Sequence, residues 1–208
     1  MKRNIICLVG LPGVGKTYFC DYINSVDDSM LCLKIGETLR QSNDSRIVDL
    51  LNSGRLIPND VIYDLIDDAL RKHDTINSFV LDGFPREKQQ LLWLLQRCYK
   101  HNVHVLYLKT RRLYVKLKLL NRFTCKKCHK NNNKLLSKVC VNCNDQKKTY
   151  RQDDSSLLLR KRIVITQKII DEILKLRAAF KTFNVIRVQL FYQESELLKM
   201  FRIMLFKK

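Results

Sequence analysis

Two groups of residues in this 208-residue chain have types and spacing that do chemistry. The first is "GLPGVGKT" at 10–17, directly behind the apolar run "NIICLV". Gly10, Gly15, Lys16 and Thr17 fit G-x-x-x-x-G-K-[ST], with Gly13 a further glycine inside the loop. Glycines let backbone N–H groups converge on phosphate oxygens, because no Cβ stands in the way. The helix that follows turns its positive end to the anion, Lys16 reaches the terminal phosphates, and Thr17 offers a hydroxyl to Mg²⁺. The chemistry implied is nucleoside triphosphate binding. The second group is C-x₂-C-x₁₁-C-x₂-C, made by Cys125, Cys128, Cys140 and Cys143. Four thiolates close a tetrahedral Zn²⁺ shell and leave no open position, so the metal is structural. His129 adjoins this set, finds the shell already full, and reads as solvent-facing.

A second phosphate site is suggested by "LDGFPR" at 81–86, which ends another apolar run. Asp82, at a strand's carboxyl end beside a phosphate loop, is placed to hold Mg²⁺ through water. Arg86 follows three residues of turn chemistry, and its guanidinium can clamp a phosphate bidentately.

The elements that must position these groups alternate. Strand patterns fall at 4–10, 31–35, 78–83, 103–109 and 184–190, and helical patterns at 16–25, 59–73, 86–100 and 155–180. Such alternation makes βαβ units, hence an α/β sandwich with a five-stranded parallel sheet covered on both faces. Asn59, ahead of an acid-rich turn, reads as the N-cap of the second helix.

Composition narrows the class. The hydrophobic share is 46% and charged residues make 28%, the balance of a soluble globular enzyme. No apolar stretch approaches the roughly 20 residues of a membrane span, and the N-terminus reads as a first strand, not a secretory signal. A reducing compartment, the cytoplasm, follows as the expectation, with Cys7, Cys20, Cys32 and Cys98 as free thiols in apolar surroundings. The formal charge of +19 points to polyanionic substrates or partners. It is concentrated: residues 118–151 carry ten Lys or Arg against one acid, Asp145, whereas 35–77 carry five basic and eight acidic side chains. The basic segment has few large apolar residues, so metal binding must supply its folding free energy.

"GLPGVGK", "IGETLR" at 35–40, "LDGFPR" and "RQDDSSLLLRKR" at 151–162 occur in order. With these motifs the chain resembles the adenylate kinase family, P-loop nucleoside monophosphate kinases, over residues 5 to roughly 190. The resemblance implies three parts: a P-loop core at 1–34, 78–117 and 153–208, an acceptor-binding helical insert at 35–77, and a zinc lid at 118–152. It implies Mg²⁺-dependent transfer of a phosphoryl group from ATP to AMP, giving two ADP. Arg40 and Arg86 would hold the acceptor phosphate, Gln90 would read the adenine edge, and "GRLI" at 54–57, ending in Ile57, would line the acceptor pocket. Arg122, Arg151 and Arg162 would surround the transferring group, with Arg151 and Arg162 also on AMP and Arg122 also on ATP. Asp153 and Asp154 would orient those arginines. The chemistry needs no separate general base, because the acceptor phosphate is already an anionic nucleophile.

Four features depart from the family's pattern. The loop reads Gly15-Lys16-Thr17-Tyr18 where the family has G-K-G-T. Lys118 stands where an arginine covers the donor's adenine, and Ile35 where a threonine faces the acceptor. The lid is shorter between its cysteine pairs. Two other functions stay open. One is a kinase for another monophosphate, UMP or CMP, against which Gln90 speaks by its fit to adenine. The other is a zinc-ribbon nucleic-acid binder with a vestigial P-loop. It would leave the arginines outside the lid unused, and its basic segment offers only Phe123 and Tyr150 for stacking. The expected partners are the small nucleotides ATP, AMP and ADP, with no membrane, a monomeric chain, and room for weak salt-sensitive nucleic-acid binding.

Overall fold

The computed structural model describes residues 2–53, 55, 57–151, 154–179 and 183–189. The chain runs β1 (Asn4–Gly10), α1 (Lys16–Val26), β2 (Met30–Lys34), α2 (Ile35–Arg40), α3 (Ser45–Asn52) and α4 (Asn59–Lys72). It continues through β3 (Ser78–Asp82), α5 (Lys88–Arg97), β4 (Asn102–Lys109) and α6 (Arg112–Leu120). Three short strands follow, β5 (Arg122–Cys125), β6 (Asn131–Asn133) and β7 (Lys148–Thr149), then α7 (Ser156–Ala179) and β8 (Phe183–Gln189).

Five strands form one parallel sheet in the order β2-β3-β1-β4-β8. A parallel sheet has both faces covered, which is why its strands read as continuous apolar runs. Ile5, Cys7 and Val9 of β1 pack with α4, α5 and α7 through Ile66, Leu91, Leu94 and Ile173. Ile6 and Leu8 point the other way, onto Phe19, Cys20 and Ile23 of α1. A third cluster, Leu11, Val115, Leu119, Leu159 and Ile163, fastens α6 and the start of α7 to the glycine loop. The segment between α6 and α7 makes a separate antiparallel sheet in the order β6-β5-β7.

The expected α/β sandwich is present, with local corrections. Ile35 opens α2 instead of closing β2, and α5 begins at Lys88, two residues beyond Arg86. Asn59 is the first helical residue of α4, and its side chain does not cap the helix. That amide is drawn instead to Glu87 and Gln90 at the start of α5. The expectation of four free scattered thiols fails for one pair, because Cys20 is bonded to Cys32. Helix α1 folds back along the strand that follows it, bringing their Cα atoms to 5.3 Å. Cys7 and Cys98 stay free and buried.

Candidate active site

The glycine loop lies at the carboxyl end of β1, where a parallel sheet opens its crevice. Gly13 has φ +78°, and a Cβ there would stand 2.7 Å from the Leu119 side chain, so the loop's bend and its packing on α6 both need glycine. Lys16 folds back over the loop, its Nζ donating to the carbonyls of Gly10 at 2.8 Å and Leu11 at 3.1 Å. Helix α1 begins at Lys16 with no acidic residue in its first turn and no side-chain cap from Gly15. Its positive end therefore has no carboxylate of the helix's own first turn to offset it. Thr17 Oγ1 donates to Asp82 Oδ2 at 2.7 Å, joining the loop helix to the end of β3.

Two guanidinium groups meet at the start of α2. Arg86 Nε donates to the carbonyl of Gly83 at 2.9 Å, and Arg40 Nη1 to that of Gly36 at 2.9 Å. A Cβ on Gly36 would lie 3.4 Å from Arg86 Nη2 and 3.5 Å from Arg40 Nη1, so both cations stand over this one glycine. The sequence shows Gly36 inside "IGETLR" but nothing local marks it as the floor beneath two arginines.

A second pair of guanidinium groups, from β5 and α7, converges on Asp154. Arg122 grips Asp154 with Nε and Nη2, both at 2.7 Å, and Arg162 Nη1 reaches the same carboxylate at 3.3 Å. Asp154 is 8% exposed, so the pair is a fork-on-carboxylate contact shielded from water. Arg151 Nη2 donates to Asn131 Oδ1 of the lid at 3.0 Å.

These groups share one cavity of about 280 Å³. Its wall includes the predicted Gly10, Gly13, Lys16, Thr17, Arg40, Asp82, Arg86, Arg122, Arg151 and Arg162, from six separate stretches of chain. It also includes Lys34, Glu37, Arg55, Asn131 and Thr166, of which sequence reasoning had placed only Arg55 near the acceptor. Lys34 ends β2 opposite Asp82 of β3, a register that no local spacing marks. Burial drives the Lys16 amine down to about 8; Asp82 pulls it up, while Arg86, Arg162 and Arg122 push it further down. The wall sets eight Lys or Arg side chains against Glu37 and Asp82, a surplus of positive charge that suits a polyanion.

Other predicted residues lie away from this wall. Ile35 and Ile57 are core residues, 2% and 5% exposed. Gln90 is also buried, with Oε1 accepting from the Arg86 N–H at 2.6 Å and Nε2 donating to Asn59 Oδ1 at 2.7 Å. Lys118 sits at the end of α6 with its ammonium 5.8 Å from the Tyr114 ring. Asp153, Gly54 and Leu56 fall outside the described residues.

The four lid cysteines gather with all Sγ atoms within 4.8 Å of one another. Cys125 Sγ lies 3.6 Å from Cys143 Sγ, and Cys128 Sγ 3.4 Å from Cys140 Sγ. Zn–S bonds of about 2.3 Å in a tetrahedron need sulfurs roughly 3.8 Å apart, so the donor set fits zinc. Around it Phe123 is buried while Leu135, Leu136 and Val141 are exposed. His129 is exposed and outside the cluster.

A family model described as an AAA domain matches residues 9–133. An adenylate kinase of Pseudothermotoga lettingae is 30% identical over 172 residues, spanning 76% of this chain and 78% of that protein. The chain belongs to the adenylate kinase family. Adenylate kinases of Lactobacillus johnsonii and Rickettsia rickettsii are 28% and 27% identical, over 79% and 77% of this chain and 82% and 80% of theirs. Membership in the adenylate kinase family, with the phosphate loop and the arginine-lined cavity, makes this a P-loop nucleoside monophosphate kinase.

Proposed function

We propose that the protein is an ATP:AMP phosphotransferase, moving the terminal phosphoryl group of Mg-ATP to AMP and back, with two ADP on the other side. One observation carries this reading. A triphosphate cradle and a separate pair of arginines over Gly36 open onto one cavity, so donor and acceptor phosphates can meet there. Gly10, Gly13, Gly15 and Lys16 take the donor's phosphates, and Thr17 with Asp82 holds the magnesium, Asp82 through water. Bound magnesium would neutralise charge on the donor's phosphates. Arg40 and Arg86 fix the acceptor phosphate, an oxygen of which attacks the donor's terminal phosphorus as the bond to the bridging oxygen breaks. Arg122, Arg151 and Arg162 meet the charge that spreads over the transferring group, and Asp154 keeps the first and last of these aimed. Asp153 belongs to the same acidic pair on the resemblance. Zinc on Cys125, Cys128, Cys140 and Cys143 gives the lid its rigidity, and a rigid lid excludes water as a competing acceptor.

For the bases, Lys118 covers the donor's adenine, and Gln90 reads the acceptor's. An amide offers two N–H groups and two lone pairs; Gln90 spends one of each on Asn59 and Arg86 and is 1% exposed, so reading an adenine edge requires the remaining pair to open toward the acceptor. Ile35 and Ile57 back this pocket from the core. Every group the reaction needs comes from one chain, which supports a monomer, and we place it in the cytoplasm. Among the described residues no helix is long and apolar enough to cross a membrane. A coupled assay with ATP and a panel of AMP, UMP, CMP and GMP tests the reading. AMP should give the highest kcat/KM; a larger value for UMP or CMP would move the assignment to another monophosphate kinase.

A further inference from the structure

Helix α1 carries Thr17 and, four residues on, Asp21, so the two side chains share a face. Thr17 meets Asp82, and Asp21 pairs with Lys34, the residue opposite Asp82 in the sheet register. Lys34 also lies 3.7 Å from Glu37, and both line the reaction cavity. A second cation reaches Asp21 from the lid. Lys130 Nζ stands 3.5 Å from Asp21 Oδ1, the same oxygen that Lys34 holds. Lys130 immediately precedes Asn131, which receives Arg151 at the cavity wall.

We propose that Asp21 is a positioning residue that couples lid closure to the acceptor side of the cavity, an inference that rests on the phosphotransfer reading above. The lid segment at 118–151 has ten basic residues and one acid, and it closes over a cavity already lined with cations. Closure is therefore opposed by like charge until something negative receives it. Asp154 receives Arg122 beside α7, and Asp21 receives Lys130 on the α1 side. With Lys34 and Lys130 on the same carboxylate oxygen, Asp21 ties the seated lid to the residue that lines the cavity and leads into α2. Lys34 leads directly into α2, where Gly36 and Arg40 stand, so the lid's seat and the acceptor wall answer to one carboxylate.

The side chains of Lys34, Asp21 and Lys130 are 18%, 35% and 51% exposed, so screening keeps each pair modest, and single changes should shift kcat/KM by up to about fivefold. The signature is a change of sign. Asp21→Asn should lower kcat/KM in the wild-type chain about two- to fivefold. Lys130→Glu, which sets a carboxylate against Asp21, should lower it about five- to tenfold. Asp21→Asn added to Lys130→Glu should then raise it, because it removes a repulsion. An equal loss from Asp21→Asn in both backgrounds would overturn the proposal. Should Asp21→Asn fold poorly, Lys130→Gln compared with Lys130→Glu decides the matter on an exposed lid position. The glutamate should be at least about threefold worse, with the gap closing at 0.5 M KCl; equal activities would overturn the coupling. Calorimetric ATP affinity of the same proteins should show the same reversal. A wild-type chain that transfers to no monophosphate defeats the phosphotransfer reading; an active one without the reversal defeats the role of Asp21.

Discussion

Lys16 shows how much a single residue owes to its surroundings. Its amine is driven down to about 8 by burial, with three arginines adding to the effect and Asp82 opposing it. The charged amine binds phosphate, so a donor raises this pKa, and donor affinity is full below about 8 and falls as pH rises through it. Calorimetry from pH 7 to 9.5 should show ATP binding weakening by up to about tenfold per unit above that value. Lys16→Arg, charged throughout, should be flat over the same range. Gly36 offers a second residue-scale test. A methyl there enters the space beneath Arg40 and Arg86, while helix propensity favours alanine over glycine by about 1 kcal/mol. Gly36→Ala should therefore leave the melting temperature unchanged or higher and raise the acceptor's KM several-fold, with ATP affinity untouched. Arg86→Ala should raise the acceptor KM and lower kcat together, because the guanidinium holds ground and transition state alike. An unchanged acceptor KM in either variant would remove these residues from the acceptor site.

Among the elements, the lid and its tie to α7 carry the most consequence. The lid buries Phe123 and two of the four cysteines but exposes Leu135, Leu136 and Val141, too little apolar burial to hold a fold alone. Removing zinc with a chelator, or changing Cys140→Ser, should lower the melting temperature and release about one zinc per chain, measured by metal analysis. The core sheet does not depend on that metal, so far-UV circular dichroism at room temperature should keep most of its signal. A metal-free protein of equal stability and activity would disprove the zinc assignment. Asp154 joins β5 to α7 through Arg122 and Arg162. Asp154→Ala strands two shielded guanidinium groups, and breaking a buried pair from one side costs about 3–5 kcal/mol at full burial. With Arg162 a quarter exposed, the low end applies, and kcat should fall more than tenfold as both arginines lose their aim.

Across the whole molecule the formal charge of +19 acts as a field, not as a set of contacts. Nucleotides carrying several negative charges are drawn toward the cationic cavity, so the KM values for ATP and AMP should rise several-fold between 0.05 and roughly 0.5 M KCl, with kcat changing less. Binding of non-specific RNA should be weak and vanish over the same range. Retention of RNA at high salt would instead indicate a dedicated nucleic-acid surface. The glycine loop, Asp82 and Arg86, which line the cavity, and the cysteine pairs, which gather their sulfurs, were readable without coordinates. Their geometry depends on neighbours a few positions away, and spacing alone records that. The alternation of strands and helices was legible for the same reason. Contacts between distant segments were not. Asn59 looked like a cap because its immediate neighbours suit one, yet Gln90, 31 residues on, took its side chain. Cys20 and Cys32 looked like isolated apolar thiols until α1 folded back on β2. Arg40 and Arg86 met over Gly36, and Lys130 crossed from the lid to Asp21. By itself the sequence determined which chemical groups were present and which local element held each. Only the tertiary structure decided which of them face one another, because burial and packing choose among side-chain partners that no local spacing ranks.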